Sequence, residues 1–345
     1  MKIRRIEAST PYDVVIGAGL LKELGSRTAT VVKGRKAMVV SDDAVFGLYG
    51  ETAAESLRNA GFEVKNFVFP HGEQSKNGQM FLSLVNALAE NRLTRTDVVI
   101  ALGGGVTGDL TGFASACYLR GLACVQVPTS LLAMVDSSVG GNTAIDLPAG
   151  KNLCGAFHQP KLVVCDTDLL KTLPEEILTD GMPEVIKYAF LGKEGLFQQL
   201  KTGIENWEEV VYDCVCAKAK FVEEDEFDNG SRQFLNLGHT LGHGIEANSD
   251  FTLSHGKAVA IGMAMMARAA CKKERLSPEN RDEIIDLIRK YELPTETDQK
   301  AEDICKMALG DKKRRGGTIT LVVPTSKTSC VLHPVPIEEL IDWII

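Results

Sequence analysis

The sequence predicts an α/β protein, with an N-terminal Rossmann-like parallel-sheet domain over residues 1–170 and a mostly α-helical domain over 171–345. Three observations predict it. Short apolar, β-branched runs alternate with helical stretches in the first half. A glycine-rich turn, Gly103-Gly104-Gly105-Val106-Thr107-Gly108, directly follows one of those runs. After about Leu170 the strand-like runs give way to successive helical segments. Alternation of the first kind makes a parallel sheet covered by helices on both faces.

In chain order, Lys36 to Val40, Val64 to Phe69, Val98 to Leu102 and Ala123 to Val127 read as buried strands, with helices over Ala53 to Ala60 and Gly78 to Asn91. The glycine turn fits GxGxxG between the third of these strands and a helical stretch from Asp109 to Leu119. Glycines let the backbone approach a pyrophosphate, and a helix N-terminus adds N–H donors and the positive end of its dipole. Standing alone, such a motif also serves ordinary tight turns. The ribose-binding acid normally found about 20 residues downstream is missing. Asp42 and Asp43 instead follow an earlier strand, which implies a variant of the usual dinucleotide fold.

Leu173-Pro174-Glu175-Glu176 opens the second half. Helices are expected over Pro183 to Leu191, Glu205 to Val222, Phe234 to Ala247, His255 to Glu274 and Pro278 to Tyr291, and only Thr318 to Val323 reads as strand. Within the third of these, Arg232, Asn236, His239 and His243 recur at i, i+4, i+7 and i+11, so a helix sets them on one face among Phe234, Leu235, Leu237 and Leu241. A polar stripe on an apolar helix lines a wet cavity, because buried polar groups need partners. Two histidines four residues apart can also share a metal. His255, opening the next helix, and Glu184, read as lying in the first turn of a helix begun by Pro183, complete a Glu/His set of the catalytic zinc kind. Spacing leaves open which two of the three histidines join Glu184, and a helix-start carboxylate needs no metal to explain it. Lys187, Lys218, Lys312 and Lys313 supply the cations that a phosphate or carboxylate requires.

The totals bound the class. A 345-residue chain with 44% hydrophobic and 24% charged residues is that of a globular protein with a full core. A net charge of −8 argues against nucleic acid as a partner, and the longest apolar run, about Ala258 to Met266, is too short for a membrane span. The start carries no secretory signal, and nine scattered cysteines without CxxC pairs read as thiols of a reducing cytoplasm.

Assembled, these pieces closely resemble the 3-dehydroquinate synthase family of the sugar phosphate cyclases. The resemblance runs nearly end to end: His71-Gly72-Glu73-Gln74-Ser75-Lys76, Gly103-Gly104-Gly105 with Asp109, Tyr118-Leu119-Arg120-Gly121, Pro128-Thr129-Ser130, Asp136-Ser137-Ser138-Val139-Gly140-Gly141, Gly150-Lys151-Asn152, Glu184 with Lys187, Arg232 to His243, Ser254-His255-Gly256 and Asp311-Lys312-Lys313. It implies a dehydroquinate synthase-like homodimer that uses NAD+ and one divalent metal, Zn2+ or Co2+, on a small sugar phosphate. It assigns the metal to Glu184, His239 and His255, which sends His243 to the substrate and displaces the i, i+4 histidine pair as the metal ligands. NAD+ falls to Asp42, Glu73, Lys76, Gly104, Gly105, Val106, Asp109, Thr129, Ser130, Lys151 and Thr172. Catalytic contacts fall to Asp136, Lys187, Lys218, Arg232, Asn236 and His243, and further substrate contacts to Arg120, reaching a dimer partner, and to Asn142, Asn152 and Lys313.

One position departs. The family reads Gly-Gly-Lys-Thr where this chain has Gly140-Gly141-Asn142-Thr143. An amide still donates to an oxyanion, but more weakly than an ammonium. This predicts a raised Michaelis constant, or substitution by a nearby cation such as Lys151 or Arg120. The rival readings are a sister cyclase such as aminodehydroquinate synthase, a glycerol-dehydrogenase-like polyol dehydrogenase, and a silent NAD-binding protein. A polyol dehydrogenase has no use for the cluster of Lys187, Lys218, Arg232 and Asn236, and the intact Glu184, His239 and His255 argue against silence.

Overall fold

The computed structural model describes residues 1–249, 252–309 and 317–344. The chain divides into two units, one of Met1–Pro174 with Asn206–Phe227 and one of Glu175–Glu205 with Asp228–Ile345. The helix Trp207–Glu224 therefore belongs with the first unit, where a single division after residue 170 assigns it to the second. Its buried Val210, Val211, Cys214 and Val215 explain the placement: this face packs on the N-terminal strands, while Lys2 pairs with Glu209 at 2.5 Å and Arg4 with Glu223 at 2.7 Å.

The first unit carries strands β1 (Lys2–Ile6), β2 (Tyr12–Gly17), β3 (Lys36–Asp42), β4 (Glu63–Phe69), β5 (Val98–Gly103), β6 (Ala123–Pro128), β7 (Asn142–Leu147), β8 (Gly150–Phe157) and β9 (Leu162–Asp166). Seven form one sheet in the order β1-β2-β9-β6-β5-β3-β4. Only β1 runs antiparallel, paired with β2; every other neighbour is parallel. Strands β5 and β9 are buried at every position, as a sheet covered on both faces requires. Met38, Val40, Leu84, Leu88, Val99, Leu110 and Phe113 form a core between the sheet and the helices Gly78–Glu90 and Gly105–Cys117. The remaining pair, β7 and β8, is a separate antiparallel hairpin.

Strand order fixes where a ligand can sit. From β3 the chain moves outward to β4, whereas from β5 it moves the other way to β6. The crevice beyond the carboxyl ends of β3 and β5 is thus the topological switch point, the usual ligand site of an open parallel sheet. Asp42 ends β3 and Gly103 ends β5.

The second unit packs the helices Glu175–Phe190, Glu194–Thr202, His239–Asn248, His255–Lys272, Pro278–Lys290 and Ala301–Leu309 with a hairpin of β10 (Thr318–Ser326) and β11 (Ser329–Pro336). Small residues set the tightest approach. A Cβ at Gly262 would lie 2.1 Å from the Gly238 carbonyl oxygen, and one at Gly242 would lie 3.0 Å from Val259 Cα. The helices His239–Asn248 and His255–Lys272 consequently sit backbone against backbone, which brings their first turns together.

Candidate functional site

The glycine-rich turn joins β5 directly to the helix Gly105–Cys117. Gly104 precedes the first turn of the helix Gly105–Cys117, with φ −76° and ψ −166°, and a Cβ there would press to 3.4 Å from Ser130 Oγ. Val106 lies in that first turn, and the Thr129 N–H donates to the Gly103 carbonyl at 3.0 Å, which ties β6 to the loop. Asp42 accepts from the Val45 N–H at 2.9 Å, and Thr107 Oγ1 lies 3.5 Å from its other oxygen. Thr172 ends the turn Thr167–Thr172 and meets the Tyr49 hydroxyl.

Beside the loop lies a buried ionic network. Lys76, only 4% exposed, reaches Asp109 Oδ2 at 2.5 Å and Asn152 Oδ1 at 2.5 Å. Burial works against its ammonium, yet the carboxylates of Asp109, Glu73 and Asp146 outweigh it and lift the Lys76 pKa above the ordinary lysine value. Burial likewise pushes the Asp109 carboxyl up against the pull of Lys76. Lys151 Nζ stands 4.0 Å from Glu73 Oε1. Asn152 adopts φ 56° and donates its N–H to Asp146 Oδ1 at 2.8 Å. Sequence reading missed Asp146; its backbone N–H, bonded to the Lys76 carbonyl at 2.8 Å, pins the hairpin to the lysine's loop. Elsewhere in this unit Lys218, 4% exposed, pairs with the Asp136 carboxylate and donates to the Asp136 carbonyl at 2.7 Å. Arg120 stands exposed with φ 64°, and Asn142 is exposed at the start of β7.

The second unit gathers the histidines, with two corrections to the expected local structure. Pro183 does not open a helix. It lies inside Glu175–Phe190, which starts at the acidic pair Glu175 and Glu176, so Pro183 leaves the Thr179 carbonyl without its usual helical donor. Glu184 is therefore mid-helix, and a carboxylate facing a helix N-terminus does not explain it. Nor do Arg232, Asn236, His239 and His243 share one helix. A 3-10 turn spans Ser231–Asn236, and Gly238, with φ 77°, precedes a new helix that starts at His239. Arg232 is buried and Asn236 exposed on the separate turn.

The break aims the rings. His239 Nδ1 lies 3.1 Å from the Leu237 carbonyl, which leaves Nε2 3.2 Å from Glu184 Oε1. His255 opens the helix His255–Lys272, anchored by Asp180, whose Oδ1 accepts from the Lys257 N–H at 3.3 Å. Its Nε2 is 3.5 Å from the same Glu184 oxygen. One ligand atom from each of Glu184, His239 and His255 falls within 4.8 Å of the others. The His243 ring centroid lies 5.5 Å from that of His239 and 5.8 Å from that of His255.

Glu184 is 1% exposed, and neither of its oxygens accepts a well-formed hydrogen bond, although Lys187 forms an ion pair with it. Burial opposes its charge, but Lys187 and His239 hold the carboxyl well below its usual range. Burial also opposes protonation of His255, yet the Glu184 and Glu246 carboxylates raise its pKa to about 10. A buried anion with under-satisfied oxygens, facing imidazole nitrogens at 3.2 and 3.5 Å, is a donor set that fits a divalent cation. Lys313 lies outside the described residues. Glu246 and Asp180 were missed in the sequence; only Glu246 left a signal there, three residues after His243 and seven after His239.

Comparison with known proteins is consistent along the whole chain. Family models for the 3-dehydroquinate synthase N-terminal and C-terminal regions match residues 66–180 and 181–314. The 3-dehydroquinate synthase of Streptococcus suis (strain 05ZYH33) is 41% identical over 354 residues, covering 100% of this chain and 99% of the relative. The chain belongs to the 3-dehydroquinate synthase family. Among solved structures, ValA, the 2-epi-5-epi-valiolone synthase of Streptomyces hygroscopicus subsp. jinggangensis 5008 with NAD+ and Zn2+ bound, has TM-score 0.86 at 26% identity, covering 95% of this chain and 94% of that one. A 2-deoxy-scyllo-inosose synthase complexed with carbaglucose-6-phosphate, NAD+ and Co2+ has TM-score 0.85 at 23% identity, covers 100% of both chains and shares the fold.

Proposed function

We infer that this chain converts 3-deoxy-D-arabino-heptulosonate 7-phosphate to 3-dehydroquinate and phosphate, a step of the shikimate pathway toward aromatic amino acids. NAD+ supplies a reversible hydride acceptor for the substrate's C5 hydroxyl carbon, and a divalent metal, Zn2+ or Co2+, supplies an electrophile for the oxygen there. The C5 ketone acidifies the neighbouring C6 proton, phosphate leaves by elimination, and re-reduction and an intramolecular aldol close the ring with no net redox change.

The residues divide the labour within each unit. Glu184, His239 and His255 are the proposed metal ligands. On the same unit, Lys187 and Arg232, 1% and 2% exposed, with Asn236 and His243, are proposed to hold the substrate's phosphate and carboxylate. Ammonium and guanidinium groups are the natural donors to a phosphate or carboxylate. On the first unit, Gly104, Gly105, Val106, Thr129 and Ser130 form the pyrophosphate-facing turn. Asp42, Glu73, Lys76, Asp109, Lys151 and Thr172 are the proposed further nucleotide contacts, and Asp136, Lys218, Asn152, Asn142 and Arg120 the further substrate contacts. Fixed ammonium and amide groups orient the flexible open-chain form and so favour one aldol geometry.

The observation that carries this reading is the Glu184, His239 and His255 set with the buried cations Lys187 and Arg232 on the same unit. A polyol dehydrogenase needs the metal but not those cations. We further propose a homodimer working in the cytoplasm; among the described residues, no helix is long and apolar enough to cross a membrane. The test is a panel of heptulosonate phosphate, other sugar phosphates and polyols offered with NAD+. Phosphate release from the heptulosonate phosphate alone supports the reading, and turnover of a polyol with NADH accumulation overturns it.

A further inference from the structure

We propose that Glu246 is the positioning residue for His255, taking the imidazole Nδ1–H on its carboxylate so that Nε2 is turned toward a divalent metal shared with Glu184 and His239. The inference rests on the metal set proposed above and assigns it a second carboxylate that does not itself bind the ion. Each nitrogen of the His255 ring faces a different acid. Nε2 lies 3.5 Å from Glu184 Oε1, and Nδ1 lies 3.3 Å from Glu246 Oε2. A neutral imidazole has one N–H and one lone pair, so whichever nitrogen donates decides which one is free to coordinate.

His239 shows the same arrangement with a different acceptor: its Nδ1 faces the Leu237 carbonyl and its Nε2 faces Glu184. Both histidines therefore offer Nε2 to one carboxylate and bind Nδ1 to the protein. A carboxylate acceptor does more than a carbonyl, because its charge makes the imidazole a stronger donor to the metal.

The fold holds Glu246 in place for this role. It lies on the helix His239–Asn248 on the face of His239 and His243, and it is 5% exposed. That helix cannot shift easily: a Cβ at Gly244 would lie 2.6 Å from the Ile304 carbonyl oxygen, and one at Gly242 3.1 Å from the Ala258 carbonyl oxygen.

His243, Glu246 and His255 also bring ligand atoms within 4.8 Å of one another, so the competing role for Glu246 is as a ligand of a second ion; the test separates the two roles. Zinc is titrated into the chelator-stripped full chain against a chromophoric chelator, for the wild type and for Glu246→Gln, which keeps the shape and an acceptor but loses the charge. Glu246→Gln is expected to weaken zinc binding by about 10–100-fold, with NAD+ affinity and the melting temperature of the metal-free chain preserved; a purely structural role would move the melting temperature instead. Imidazole ¹⁵N spectra of the zinc-loaded wild type, which need no variant to fold, should show His255 protonated at Nδ1 and zinc-bound at Nε2. The proposal is overturned by zinc affinity within about threefold of wild type, by His255 bound through Nδ1, or by a second zinc that Glu246→Gln abolishes. A wild type that binds no zinc sinks the metal set itself, and this inference with it.

Discussion

Replacing Lys76 with methionine removes an ammonium 2.5 Å from Asp109 Oδ2 and 2.5 Å from Asn152 Oδ1 while keeping nearly the same volume. The loss is therefore mainly electrostatic. Taking one partner from a buried pair costs about 3–5 kcal/mol; because the Asp109 side chain is 17% exposed, water offsets part of it and about 2–4 kcal/mol is expected. The pH dependence has a definite sign. Burial already pushes the Asp109 carboxyl up, and Lys76 is the leading charge opposing that push. Without Lys76 the folded pKa rises further above that of the unfolded chain, so the variant loses stability as pH climbs from about 4 through the new value. The contribution of Lys76 itself, whose pKa is raised in the fold, is fully present below about 10.5 and does not change over that range. The gap between wild type and Lys76→Met should consequently narrow toward pH 4 and stand fully open near pH 7. The chain has two tryptophans, Trp207 in the first unit and Trp343 in the second, so urea unfolding followed by fluorescence in a Trp343→Phe background reports the relevant unit. Adding Asp109→Asn should restore most of the lost stability. A variant within about 0.5 kcal/mol of wild type near pH 7, or a gap that ignores pH, refutes the reasoning.

Asp97, 4% exposed, accepts from the Thr94 N–H at 2.7 Å and the Lys36 N–H at 3.0 Å; burial opposes its charge, but these donors hold its carboxyl below the usual range. Its stabilisation is present above about pH 3.9 and fades as pH falls through the lower folded value, so Asp97→Asn should cost about 1–2 kcal/mol near neutrality and little at about pH 2 in denaturant titrations. Gly238→Ala places a Cβ 2.7 Å from the Val259 carbonyl oxygen at φ 77°, which should cost at least about 2 kcal/mol and weaken zinc binding measured by chelator competition. Asn142→Lys exchanges a neutral donor for a charged one, a gain of about 1 kcal/mol, so the KM for the sugar phosphate should fall about fivefold with kcat little changed; unchanged kinetics would show that the anion site does not depend on position 142.

The sequence was most legible where one physical requirement dominated. The strands at the centre of the sheet are apolar runs because they are covered on both faces, and β3, β5 and β6 were read from that alone; Val64 to Phe69, also expected to be buried, lies in the edge strand β4, where only Phe69 is buried. Strand β1 escaped, since Lys2, Arg4 and Arg5 alternate with isoleucine and find acidic partners far along the chain, as in the 2.7 Å pair of Arg4 with Glu223. The hairpin β7–β8 was missed and β10–β11 was read only at Thr318 to Val323, because two-stranded pairs bury too little to leave a clear pattern. The histidines were visible as chemistry but not as geometry. Periodicity carried the helix through Gly238, yet the close approach of Val259 and Met263 that demands glycine there is tertiary and invisible to spacing. Pro183 was placed at a helix start by a local preference that the acidic opening at Glu175 overrode. Which histidines join Glu184 followed from the family resemblance rather than from periodicity; in the structure Glu184, His239 and His255 bring ligand atoms within 4.8 Å of one another, as do His243, Glu246 and His255.

The central claim is a cyclase whose nicotinamide is reduced and reoxidised within each turnover. The most direct measurement follows phosphate and NADH in one reaction mixture of heptulosonate phosphate, NAD+ and the full chain, first stripped by chelator and then resupplied with zinc. Phosphate release is expected to stop on stripping, to return with zinc, and to proceed through many turnovers while NADH stays below one equivalent per chain. NADH accumulating in step with product, or phosphate release indifferent to the metal, would contradict it.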